Sequence, residues 1–213
     1  MSRSSVFLIG RLLALVLVLA MPFRSQAIEE PAYTVARVLG DGVELRRYAA
    51  YVVAEVTLPV EGSEAGSAAF PILAGYIFGK NRGEQRFAMT APVTQTAAPV
   101  RMDMTAPVTQ MPAPGGGTRV QFVLPRTVTL ATAPQPIDPR VQLREEPQAD
   151  WLVIRYSGTW SEANTAEHLA RLKETGAAAG IRLRGEPVLA RYDPPFKPWF
   201  MRRNEIWLAV EPD

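Results

Sequence analysis

One order of elements, strand–helix–strand–strand, occurs twice along the 213-residue sequence. In the first half, alternating apolar and polar residues predict a strand over Tyr51–Leu58. Apolar residues spaced i, i+3, i+4 and i+7 then predict a helix over 63–78 that is capped by Ser63. Two extended segments follow, at 86–95 and 102–110.

The same order returns in the second half of the sequence. The pattern predicts a strand over 151–157 and a helix over 161–179 with Ser161 as its cap. Strands are then predicted over 187–192 and 205–211. A repeated order of this kind favours one domain over two unrelated ones.

Three further strands complete the expected sheet. Val43–Tyr48 is predicted to form a hairpin with the strand that follows it, and segments 120–124 and 141–146 join the sheet between the halves. The two units then cover about residues 43–110 and 118–211. We therefore predict an α+β fold in a single domain, built from two pseudo-repeated β-α-β-β units.

The first 27 residues have the pattern of a secretory signal peptide. Arg3 and Arg11 precede an uninterrupted apolar run over 12–21, and Ser25-Gln26-Ala27 supplies the small residues of a cleavage site. We predict cleavage after the alanine, leaving a mature domain over 28–213 that has no membrane span and is periplasmic or secreted. The alternative is an uncleaved anchor, although a spanning helix needs about 20 apolar residues.

Composition excludes several classes of function. The sequence has no cysteine and one histidine, His168, so disulfides, thiolate sites, thioether haem attachment and multi-histidine metal sites lack their residues. Of the 23 lysines and arginines, three lie in residues 1–27, which leaves 20 basic against 21 acidic residues. A nearly neutral mature chain binds polyanions poorly, so we expect no nucleic-acid partner. The sequence makes no prediction of the oligomeric state.

The densest cluster of aromatic and basic residues lies in segment 192–205. Its three closely spaced prolines predict a stiff, extended loop that interrupts the sheet. The apolar and basic side chains of this segment are Tyr192, Phe196, Trp199, Phe200, Met201, Lys197, Arg202 and Arg203. Aromatic rings that stack, beside cations that pair with acids, suit a flat apolar ligand bearing carboxylates. A structural role is an equal alternative, in which the aromatics close the end of a barrel and the arginines bind acids such as Asp193.

Several motifs together resemble the SOUL haem-binding family. They are Val43–Tyr48, the Ala74-Gly75-Tyr76-Ile77-Phe78-Gly79 helix end, the Ala88-Met89-Thr90-Ala91-Pro92-Val93 strand, Asp138-Pro139-Arg140-Val141, the Ser157-Gly158-Thr159-Trp160-Ser161 turn and segment 192–205. The resemblance covers nearly all of residues 33–211. It implies a distorted antiparallel β-barrel with two helices, made of two pseudo-repeated units, in agreement with the repeated element order.

The resemblance also implies a function, which is non-covalent binding of haem or a related porphyrin without catalysis. The site it implies is an apolar cleft between the first helix and the proline-rich loop. The residues expected at this cleft are Phe70, Leu73, Ile77, Tyr192, Phe196, Lys197, Trp199 and Met201. Apolar contact is expected from Phe70, Leu73, Phe196 and Trp199. Lys197 is expected to pair with a propionate of the ligand.

Departures from the family pattern leave a second function open. Ser67 and Gly75 occupy helix positions that are basic in some relatives, and a histidine ligand proposed in some members has no counterpart here. The resemblance thus implies ligand-poor haem binding. His168 on the second helix is a weak candidate iron ligand by residue type alone, because a lone helical histidine is more often a surface or boundary residue. The architecture also resembles the effector-binding domains of bacterial drug-sensing regulators, in which a buried glutamate recognises amphipathic cations. Glu205 is the nearest candidate for that role. An enzyme acting on a tetrapyrrole has no support beyond the fold.

Overall fold

The structure, a computed structural model, describes residues 28–83 and 98–212. The predicted signal peptide and the predicted extended segment 86–95 lie outside these residues. Within them, no helix is both long enough and apolar enough to span a membrane.

The described residues form strands, two helices and one short 3₁₀ turn. The strands are β1 (Tyr33–Gly40), β2 (Val43–Tyr48), β3 (Tyr51–Leu58), β4 (Asn81–Arg82), β5 (Val108–Pro112), β6 (Thr118–Val123), β7 (Gln135–Pro136), β8 (Gln142–Glu146), β9 (Ala149–Tyr156), β10 (Leu183–Arg191) and β11 (Asn204–Val210). The helices are α1 (Gly62–Ile77) and α2 (Glu162–Ala178), and the 3₁₀ turn is Trp199–Met201. The α+β class is confirmed.

Nine of these strands form one antiparallel sheet in the order β1-β2-β9-β11-β10-β5-β6-β3-β8, and β4 pairs with β7 in a separate ribbon. The hairpin predicted between Val43–Tyr48 and the next strand is wrong, because β2 pairs with β1 and β9 instead. The two residues between β2 and β3, Ala49 and Ala50, lack the glycine or asparagine that a tight hairpin turn favours. The chain therefore crosses to the far part of the sheet.

The sheet is strongly curved but open. Tyr48 on β2 and Tyr51 on β3 pack in one cluster with Trp207, although five strands separate β2 from β3 in the sheet order. Among the described residues, β1 and β8 each pair with one neighbour only, so the predicted barrel is not confirmed. β1 has the features of an edge strand, since most of its residues are exposed and its register is irregular.

Both helices lie on the same, convex face of this sheet. α1 packs on β3 and β6, whereas α2 packs on β9, β10 and β11. One row of directly paired residues joins the two regions: Ile154, Ile206, Leu189, Gln110 and Val120. Paired residues point to the same side of a sheet, and the apolar members of this row pack under α2 or α1. β10 and β5 therefore form the floor of a groove between the helices.

The helix ends are fixed by different means. Ser161 caps α2 as predicted, with its Oγ accepting a hydrogen bond from the Asn164 N–H at 3.3 Å. The N-cap of α1 is Glu61 rather than the predicted Ser63. The Glu61 side chain makes no capping hydrogen bond. α1 is therefore positioned mainly by packing, with Leu73 and Ile77 buried against the sheet.

Candidate ligand-binding site

The loop between β10 and β11, residues 192–203, is tied down by its own acidic residue. Asp193 accepts a hydrogen bond from Lys197 Nζ at 2.7 Å through Oδ1, and one from the Arg203 backbone N–H at 2.6 Å through Oδ2. Burial opposes ionisation, but these two donors outweigh it and lower the pKa of Asp193. The carboxylate therefore holds both ends of the loop at neutral pH.

Arg202 fastens the same loop to the turn before α2. Its guanidinium donates to the backbone carbonyls of Pro195 and Lys197, the latter at 2.8 Å. It also lies 4.6 Å from the ring centroid of Trp160. The Gly158 N–H donates to the Trp199 carbonyl at 3.0 Å. Prolines and hydrogen bonds together hold the loop in one conformation.

This ordered loop exposes its large apolar side chains. Phe196 is 86% exposed and Trp199 is 57% exposed, and Phe200 and Met201 are exposed as well. The rings of Trp199 and Phe200 meet edge to face, with centroids 5.6 Å apart. A group of large exposed apolar residues in a rigid loop is typical of a binding surface.

The three predicted residues of α1 differ in what they can contact. Phe70 is 48% exposed, and its ring packs edge-on to Phe122 with centroids 5.6 Å apart. Leu73 and Ile77 are fully buried beneath the helix, because they occupy the stripe that packs on the sheet. The structure therefore leaves Phe70 at the surface and makes the other two part of its support.

Tyr192 faces the concave side of the sheet, away from the exposed loop aromatics. Its hydroxyl donates to Glu205 Oε2 at 2.7 Å, and the Arg203 guanidinium lies 3.7 Å from its ring centroid. Burial, and then the nearby Glu205 carboxylate, raise the pKa of Tyr192 well above its usual value. The structure thus assigns Tyr192 to an internal network rather than to the loop surface.

Glu205 lies at the centre of that internal network and is completely buried. It accepts hydrogen bonds from the side chains of Arg46, Tyr192, Arg203 and Trp207, at 2.7 to 3.1 Å. Burial alone lowers the pKa of Arg203, but the Glu205 carboxylate outweighs it and raises that pKa. Two guanidinium groups neutralise this carboxylate, so it has no free charge to offer a cationic ligand.

His168 is half-buried on α2. Its ring stacks on Tyr156 with centroids 4.2 Å apart, and its Nδ1 lies 2.7 Å from the Asn164 carbonyl oxygen. Donation from Nδ1 leaves Nε2 as the only nitrogen with a free lone pair. Over residues 28–83 and 98–212, no three histidine, cysteine or acidic residues are grouped to hold a metal ion.

The groove between the helices holds polar residues that the sequence analysis did not single out. Gln110 on β5 is only 3% exposed, and Arg191 on β10 is half-buried. The Arg191 guanidinium lies 4.5 Å from the ring centroid of Trp160. The sequence contains a signal for Arg191, because it follows Leu189 by two residues in one strand. Alternation along the strand therefore places both side chains on the face that the helices cover. A charge at such a position is unusual in a half-buried strand.

Solved structures of two other proteins share the fold. The EcmrR C-terminal domain matches with a TM-score of 0.54 and 12% identity, over 85% of this chain and 99% of that one. A hydrolase from Listeria innocua matches with a TM-score of 0.53 and 13% identity, over 79% of this chain and 91% of that one. At these identities the likeness extends to the fold alone.

Sequence comparisons find closer relatives. Heme-binding protein 1 of Mus musculus is 28% identical over 161 residues, which cover 75% of this chain and 78% of that protein. Heme-binding protein 1 of Xenopus tropicalis is 26% identical over 144 residues, covering 68% and 70%. The family model described as SOUL heme-binding protein matches residues 28–209. Because that match spans most of the sequence, the chain belongs to the SOUL haem-binding family.

Proposed function

We propose that this protein is exported and binds haem or another tetrapyrrole non-covalently, without catalysing a reaction. The observation that carries the proposal is the loop 192–203, which holds aromatic side chains outward although nothing described covers them. Exposing such surface to water is unfavourable, and a flat apolar ligand removes that penalty. Membership of a haem-binding family indicates which flat ligand to test first.

The position of α1 supports a cleft between helix and loop. Phe70 packs on Phe122, which is paired through Val108 with Arg191, the residue before the loop. Phe122 and Arg191 are therefore two strands apart, a distance of about 10 Å. Phe70 and the start of the loop therefore lie over neighbouring strands, and the proposed ring system spans the space between them.

The residues present fit a tetrapyrrole that is bound by its faces and its acidic side chains. Phe70, Phe196 and Trp199 offer apolar contact, and Lys197 offers a cation beside them once a ligand carboxylate competes with Asp193. The absence of cysteine from the sequence is in keeping with non-covalent binding. Bound haem supplies an iron centre, and the proposed role of the protein is to hold it.

The charges around the site argue against the alternative, a binder of amphipathic cations. Glu205, the carboxylate considered for that role, is enclosed by Arg46 and Arg203 on the concave face. The groove on the convex face contains the cation Arg191. A cationic ligand placed there meets like charge, whereas an anionic porphyrin meets opposite charge.

The first test is a haemin titration of the mature chain, residues 28–213, followed by Soret absorbance and tryptophan quenching with albumin as a reference. We expect saturable one-to-one binding that survives gel filtration. Phe70→Ala is expected to weaken it about tenfold, because a half-buried aromatic contact contributes about 1–2 kcal/mol. Phe78→Ala is the matched control, since Phe78 ends the same helix and is also 48% exposed.

Two results would contradict the proposal. Equal haemin affinity in Phe70→Ala and Phe78→Ala would remove Phe70 from the site. A wild-type protein that shows no saturable spectral change, but binds a lipophilic cation, would replace haem binding by the alternative function.

A further inference from the structure

The floor of the inter-helix groove contains a nearly buried amide, that of Gln110. Gln110 is 3% exposed, and its side chain lies on the face of the sheet that the helices cover. Its register partners, Leu189 and Val120, are both apolar. An amide carries both donor and acceptor atoms, so this side chain is able to bond a polar group that enters the groove.

Arg191 follows Leu189, the register partner of Gln110, by two residues on β10. Its side chain therefore lies on the same face of the sheet as that of Gln110. Within the described part of the chain, no carboxylate forms an ion pair with Arg191, which stacks on Trp160 instead. A second guanidinium, that of Arg202, lies 4.6 Å from the same ring. Burial and the Arg202 charge lower the pKa of Arg191. This excess of positive charge next to a partly buried ring favours an anion.

α1 approaches these two side chains closely because residue 66 is a glycine. A Cβ at Gly66 would overlap Gln110 Nε2 and lie 3.3 Å from Arg191 Nη1. The helix backbone, the amide and the guanidinium therefore meet at one place in the groove. A side chain at position 66 would displace the Gln110 amide from its present position.

A cavity of about 330 Å³ opens beside Gln110, between the start of α1 and α2. Apolar groups of Pro112, Pro187 and Leu189 line it, together with Thr165. Thr165 and Leu189 also line the small recess that contains Arg191 and Trp160, which makes the two spaces neighbours. Among the described residues that line this cavity, Glu61 is the one with a carboxylate, and it is exposed at the helix start. Glu205 lines the Arg191 recess, but Arg46 and Arg203 already neutralise it. An anionic group therefore belongs at the Arg191 end, with an apolar body in the cavity.

We infer that the inter-helix groove is a carboxylate-binding subsite, in which Arg191 and Gln110 bind the carboxylate of a ligand whose apolar body lies between the helices. The inference rests on the proposed function for one source of that carboxylate, a tetrapyrrole side chain. A free fatty acid carries the same chemistry and is the other source. Lys197, on the loop, is not part of this subsite.

The test compares Arg191→Met with Arg184→Met in the purified protein. Both arginines are on β10, but Arg184 is exposed and bonds only to the Val210 carbonyl. Each variant is titrated with haemin and with 11-(dansylamino)undecanoic acid, a fluorescent carboxylate on an apolar chain. We expect Arg191→Met to weaken at least one of the two ligands about tenfold or more, because it removes a charge-assisted hydrogen bond. Arg184→Met is expected to change neither affinity.

Folding is controlled by thermal melting and by a second variant. Arg191→Met is expected to melt no lower than wild type, since it removes a desolvated cation that has no acidic partner. Gln110→Leu keeps the side-chain volume and is expected to weaken the same ligand about threefold. Should Arg191→Met fail to fold, this variant decides the question by itself.

Each outcome has one meaning. A loss of haemin affinity in Arg191→Met assigns the subsite to a tetrapyrrole carboxylate. A loss of the dansyl ligand alone assigns it to fatty acids, and that result stands even if wild-type protein binds no haemin and the proposed function fails. Unchanged affinities for both ligands in Arg191→Met and Gln110→Leu would overturn the subsite, whether or not haemin binds.

Discussion

At the residue scale, one buried carboxylate joins parts of the chain that are far apart in sequence. Glu205 on β11 binds Arg46 on β2 and the indole of Trp207, and it also binds Tyr192 and Arg203 at the two ends of the loop. Arg203 continues to Glu30 in the segment before β1, at 2.7 Å. The network on the concave face thereby fixes the loop that carries the proposed ligand surface on the convex face.

Glu205→Gln is expected to lower the free energy of unfolding by about 3 kcal/mol, because it removes the buried counter-charge of Arg46 and Arg203 and leaves them only the partly exposed carboxylates Glu44 and Glu30. The measurement is urea unfolding followed by fluorescence, with the m-value checked for two-state behaviour. Glu186→Gln is the control, since Glu186 is exposed on β10 and is expected to change stability by less than about 0.5 kcal/mol. A Glu205→Gln protein as stable as this control would show that the network contributes little.

At the element scale, the loop 192–203 depends on the ionised form of Asp193. Because the hydrogen bonds from Lys197 and Arg203 lower the pKa of Asp193 in the folded loop, the carboxylate stabilises the loop above its unfolded pKa, about 3.9. That contribution is lost as the pH falls through the lower folded pKa. The loop is therefore expected to keep its conformation from neutral pH down to about pH 4 and to loosen below it.

Asp193→Asn is expected to loosen the loop at neutral pH, as acid does in the wild type. Trypsin should then cut faster at Arg202 and Arg203, and haemin affinity should fall about three- to tenfold, since a mobile loop must be ordered on binding. Asp138→Asn is the control, because Asp138 forms a surface pair with Arg140 that involves no residue of the loop. Equal trypsin cleavage rates in the two variants would contradict the role given to Asp193.

Periodicity predicted individual elements better than their partners. The strand Tyr51–Leu58 and the capped helix α2 follow from local patterns, and the structure contains both. The partner of β2 did not follow, because its pairing with β9 depends on residues about a hundred positions away. For the same reason the helical stripe of α1 identified Phe70, Leu73 and Ile77 together, without indicating that only the first reaches the surface.

At the scale of the whole molecule, the curved sheet separates two kinds of chemistry. Its concave face encloses a neutralised ionic network with Tyr48 and Trp207, and its convex face has two helices with a groove between them. The EcmrR C-terminal domain shares this fold at 12% identity, so the architecture alone does not define the ligand. In the proposed subsite, Arg191 makes the charge of the groove positive.

The segment that follows the proposed signal peptide is bound to the folded domain at several points. The Glu29 carbonyl accepts from the Ala106 N–H at 2.9 Å, and the Glu30 carbonyl accepts from the Arg126 guanidinium at 2.9 Å. Glu30 also pairs with Arg203 at the end of the loop. Residues 29 and 30 therefore belong to the domain, which is compatible with the proposed cleavage after Ala27.

Expression of the full sequence with its N-terminal segment is expected to yield an exported protein whose first residue is Ile28. Intact-mass measurement of the periplasmic or secreted fraction checks this. Ala27→Arg places a large, charged side chain at the cleavage site, where a signal peptidase needs a small one, and is expected to leave a larger, membrane-associated form. An exported wild-type protein that keeps residues 1–27 would contradict cleavage. Retention of the wild type in the cytoplasm would contradict export itself and would place any haem-binding role in a different compartment.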